Sequence, residues 1–74
     1  MFGKIVEKKE VKKIDVQTAE AVVEQDVAGY FIGRARLVTD GVHKETKWHH
    51  GAGARTKSQP AAMRSAVNLA KALL

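Results

Sequence analysis

The sequence predicts an α+β fold, an antiparallel β-meander of three to four strands with one C-terminal α-helix packed on one face. Three features point there: a helix-periodic, alanine-rich stretch at residues 58–74, a strand-turn-strand pattern around Asp40-Gly41, and a valine-bearing segment just before it. The 74 residues suffice for one domain, 1–74, which at this size hides only about 60% of the unfolded chain's surface. There is no cysteine, so neither a disulfide nor a thiolate metal site staples the fold. The sheet, the helix or a second subunit must supply the stability.

Taken from the N-terminus, MFGKIVEKKEVKKIDV mixes acids with lysines, and its first fourteen residues take Ile5, Val6 and Val11 as their anchors. Residues 1–14 therefore read as a charged edge strand or a partly mobile arm. They never build the apolar run of a signal peptide or membrane span, so no membrane partner is expected and a cytoplasmic location is the default. Residues 15–28 send mixed signals. AEAVVEQ has helix formers behind a Thr18 cap, whereas Val22-Val23 and the following Asp-Val-Ala-Gly suit a strand and turn. A strand is preferred, because a helix here would leave a two-stranded sheet, which is marginal alone.

In GYFIGRARLVTDGVHKETKWHH, Asp40-Gly41 suits a two-residue type I′ turn between two strands. Thr39 would then face Val42, and Arg36 would face Glu45. Alternation would place Phe31, Ala35, Leu37, Val42 and Trp48 under the helix, with Lys44 reaching out near an edge. The opposite face would carry Tyr30, Ile32, Arg34, Arg36, Val38, His43, Glu45, Lys47 and His49. The last element, SQPAAMRSAVNLAKALL, has Ser58 as N-cap, Pro60 in the first turn, and an apolar face of Met63, Ala66, Val67, Ala70 and Leu73 or Leu74. Arg64, Asn68 and Lys71 fall on the other side.

The formal charge of +5 is unevenly spread: residues 1–45 hold eight acids and eight bases, while residues 46–74 hold Lys47, Arg55, Lys57, Arg64 and Lys71 and no acid. Such asymmetry points toward a polyanionic partner. In HHGAGARTKSQ, Gly51 and Gly53 let backbone approach a ligand, Arg55 and Lys57 supply charge, and a helix N-terminus follows. His43 and His49 stand about 20 Å apart along a strand, too far to share a metal ion, and neither metal nor cofactor is expected. With no activated nucleophile and no acid–base pair, the chain reads as non-catalytic. Glu20 and Glu24 read as solvated carboxylates offsetting nearby lysines.

The run GAGARTKSQPAAMRSAVNLAKAL resembles the end of a double-stranded-RNA-binding domain, with Ser58, Ala62, Ala66, Val67 and Ala70 at the cap and small-residue positions. The likeness covers about a third of the chain. Gln59-Pro60 stands where such domains carry phosphate-binding lysines, and neither their first helix nor their minor-groove loop has a counterpart here.

The function expected is a nucleic-acid-binding module in which Arg34, Arg36, Lys47, Arg55, Lys57 and Arg64 contact phosphates. The alternative is a small protein-interaction module, an adaptor or inhibitor, docking through an open sheet face or edge strand. Tyr30, Ile32 and Val38 suit that alternative, and equally a homodimer built sheet to sheet. Trp48 is expected in the core, and Tyr30 is the aromatic expected to be exposed.

Overall fold

Strand alternation through the first two-thirds of the chain becomes one antiparallel meander in the computed structural model, which describes residues 3–74. β1 (Lys4–Ile14), β2 (Gln17–Gln25), β3 (Phe31–Thr39) and β4 (Glu45–Trp48) lie side by side in chain order. The helix α1 (Gln59–Lys71) packs on one face, chiefly over β2 and β3 and with its flank against β1. The charged N-terminal stretch is thus an edge strand, and the segment with mixed signals is β2.

Alternation explains why β2 is a strand. One side, Ala19, Ala21 and Val23, meets the helix; the other carries Thr18, Glu20, Val22 and Glu24. Ala19 and Ala21 join Ala35, Ala66 and Ala70 in a fully buried cluster, which a helix at residues 17–25 could not align with β3. Register irregularities in β1 lie between Ile5 and Glu7 and between Glu10 and Lys12. At the second, Val11 packs against the alanine cluster.

The core is thin because its side chains are small; Val22 and Val23 are the largest that are fully buried. Gly33 shows how closely the helix approaches. A Cβ at this position would overlap the Ala62 carbonyl oxygen and come within 2.8 Å of the Ala66 amide nitrogen. No side chain fits between strand and helix there. The helix starts as expected, with Ser58 Oγ accepting from the Ala61 N–H at 3.3 Å and Pro60 in the first turn. Ala62, which the expected face omitted, is buried with Ala66 and Ala70.

The β3–β4 hairpin departs from the expected two-residue turn. Thr39 faces Glu45 and Arg36 faces Trp48, so the pairs Thr39–Val42 and Arg36–Glu45 do not form and residues 40–44 make the loop. Val42 sits in that loop at 95% exposure instead of under the helix, and Lys44 forms an exposed ion pair with Asp40 across it at 3.8 Å. The new register moves Trp48 to the arginine side of the sheet. It moves Lys47, opposite Leu37, to the helix side. Space decides the outcome: the gap under α1 is one alanine deep, while on the other side the indole lies against two guanidinium groups.

Candidate nucleic-acid interface

The site residues expected from the sequence separate into two surfaces. On the sheet face away from α1, antiparallel pairing sets Glu20 opposite Arg36 and Val22 opposite Arg34, so β2 presents carboxylates beside the guanidinium groups of β3. Arg36 Nε donates to Glu20 Oε1 at 2.7 Å and Arg34 Nη1 to Glu24 Oε1 at 3.3 Å. These four side chains are only 10% to 20% exposed. Glu20 and Glu24 thus neutralise arginines of the neighbouring strand, where the sequence had suggested lysines.

A third pair closes the end of the same face. The segment after β4 folds back along β3: the Gly53 N–H donates to the Gly33 carbonyl at 2.9 Å, and Thr56 bridges Phe31. This turns Arg55 toward the β2–β3 turn, where its Nη2 lies 2.7 Å from Asp26 Oδ2. The other Asp26 oxygen accepts from the Ala28 and Tyr30 amides, each at 3.0 Å. Desolvation opposes ionisation of Asp26, yet the Tyr30 amide, the Arg55 guanidinium and the Ala28 amide together hold its carboxyl below the ordinary value.

Aromatic rings complete this cladding. Trp48 has Arg34 and Arg36 at 4.5 and 5.2 Å from its ring centre, and Tyr30 has Arg55 and Lys57 at 4.4 and 5.5 Å. Tyr30 is half-buried, like Ile32 and Val38. Arg34, Arg36, Arg55 and Lys57 are therefore gathered on one face, with a carboxylate already held by each arginine. Lys47 stands apart, exposed near the β4 edge.

Arg64 belongs to the second surface. It lines a shallow groove of about 350 Å³ between α1 and β1, together with Lys9, Met63, Val67, Asn68 and Lys71. Met63 and Val67 are half-buried, while Lys9, Arg64, Asn68 and Lys71 are exposed. Three cations and an amide thus border an apolar floor, and among the described residues Lys9, Arg64 and Lys71 form no ion pair. Gln59 donates to Glu7 at 3.0 Å beyond one end, and Lys12 donates to the Leu74 carbonyl at 3.3 Å.

Lys9 escaped the sequence reading because the charges of residues 1–45 cancel in a count. The signal that would have found it is the β2–β3 pairing, which consumes Glu20 and Glu24 and leaves the β1 lysines in excess. Among the described residues no group of three histidine or acidic side chains is placed to hold a metal ion. His49 instead accepts the Gly51 N–H at Nδ1, 2.9 Å away. No described helix is long and apolar enough to cross a membrane. No family model, no curated protein and no solved structure matches the chain.

Proposed function

We propose that the chain is a non-catalytic nucleic-acid-binding module that holds phosphates along the groove between β1 and α1 and reads little base sequence. The lining of that groove carries the reading: Lys9, Arg64 and Lys71 present three cations beside Asn68, and the one acid of the adjoining pocket, Glu7, stands at the far end and accepts from Gln59. Each cation placed on a phosphate releases condensed counterions, which favours binding without any base contact. The sheet face suits phosphate less well, since Glu20, Glu24 and Asp26 stand beside its arginines and repel an anion.

Fluorescence anisotropy with labelled single- and double-stranded DNA and RNA tests the reading. At about 50 mM salt the wild type should bind with micromolar affinity, and three phosphate contacts predict a loss of roughly 20- to 40-fold at about 200 mM. Lys9→Ala/Arg64→Ala/Lys71→Ala should remove binding, while Lys47→Ala/Lys57→Ala should change it less than about twofold. Absence of low-salt binding overturns the proposal. So does binding that survives the triple substitution.

A further inference from the structure

We propose that the sheet face away from α1 is covered by a second copy of this chain, the two sheets stacking face to face about a two-fold axis parallel to their strands. The first ground is the apolar content of the face itself. Ile32, Val38 and Trp48 lie half-buried on the side of the sheet that α1 does not cover. Val22 is fully buried on that side by its neighbours alone.

The second ground is the arrangement of charge. The face is striped, with Glu20 and Glu24 on β2 and Arg36 and Arg34 on β3. Rotation about an axis parallel to the strands exchanges the positions of β2 and β3. Glu20 of one copy then meets Arg36 of the other, and Arg36 meets Glu20, closing an alternating ring of four charges across sheets about 10 Å apart. An axis perpendicular to the strands would stack acid on acid and arginine on arginine. The stripes thus select both the partner and its orientation, and because each is neutralised within its own chain, less charge must be stripped of water on docking.

The face is small. Strands of eleven, nine, nine and four residues about 4.8 Å apart offer about 500 Å², below the roughly 800 Å² per partner of a standard stable complex, which suits a dimer that forms only at high micromolar concentration. Lys8, Glu10 and Lys13 of β1 fall at the rim, where their stems lie along the interface and their charged ends reach water. The groove between β1 and α1 stays open on the outside of each copy, so this assembly stands independently of nucleic-acid binding.

Sedimentation equilibrium of the full chain should give twice the 8.1 kDa chain mass at high micromolar concentration, with Trp48 emission shifting to the blue as the dimer forms. Val38→Lys should give the single-chain mass. The decisive variant is the exchange Glu20→Arg/Arg36→Glu, which keeps the pair within each chain but reverses the stripes. It should dimerise with itself and not with the wild type, as native mass spectrometry of a mixture would show. A single-chain mass at every concentration overturns the proposal, as do free mixing of exchanged and wild-type chains and a Trp48 shift that appears only when nucleic acid is added.

Discussion

Gly33 sets the distance between the two layers, and no other residue type can replace it without moving backbone. A methyl group there meets the Ala62 carbonyl and the Ala66 amide, both parts of a helix that cannot yield locally. Gly33→Ala should cost about 3 kcal/mol in urea denaturation, at the upper end of overpacking penalties. Gly53→Ala meets Ser65 Cβ at 2.7 Å, an atom that side-chain rotation cannot move, so it should also destabilise, though less than Gly33→Ala, whose methyl would overlap a carbonyl oxygen. Asp26 is the residue through which pH acts. Its folded-state carboxyl is held below the ordinary value of 3.8, so its contribution is complete above that pH and is lost as pH falls through the folded value. The protection factor of the Thr56 amide, which donates to the Phe31 carbonyl, should fall as pH drops through that folded value in the wild type. In Asp26→Asn it should be low throughout.

Among the elements, α1 was legible because its signals are local: a cap, a proline in the first turn and a 3.6-residue apolar period. Ser58→Ala should lower stability by about 1 kcal/mol, read from the same urea midpoint. Ala66→Leu should cost about 1 to 3 kcal/mol, because the helix rests on Ala19, Ala21 and Ala35 with no space for a longer side chain. β2 was legible from the need for a third strand. The β3–β4 hairpin was legible as a hairpin but not in register. Asp40-Gly41 is a strong local signal for a tight turn, and it lost to a packing constraint that lies elsewhere: Trp48 cannot enter the alanine layer and finds its place against Arg34 and Arg36.

At the scale of the molecule, the basic character seen in the sequence survives folding but changes place. Three arginines expected to meet phosphate are held by Glu20, Glu24 and Asp26, and the cations that remain together are those of β1 and α1. The proposed face-to-face dimer would tie the stability of this small chain to association. The melting temperature should therefore rise with protein concentration, a shift that Val38→Lys should abolish.

The sequence by itself determined the fold class, a meander of three to four strands, the helix and its cap, and the excess of positive charge, since periodicity, turn residues and composition act locally or by simple addition. Only the tertiary structure decided which cations are available. Glu20 finds Arg36, and Asp26 finds Arg55 29 residues away, through strand register and a returning loop. Whether a charge is free or neutralised depends on distance in space, and that in turn depends on how closely an alanine-faced helix presses on a glycine in the sheet.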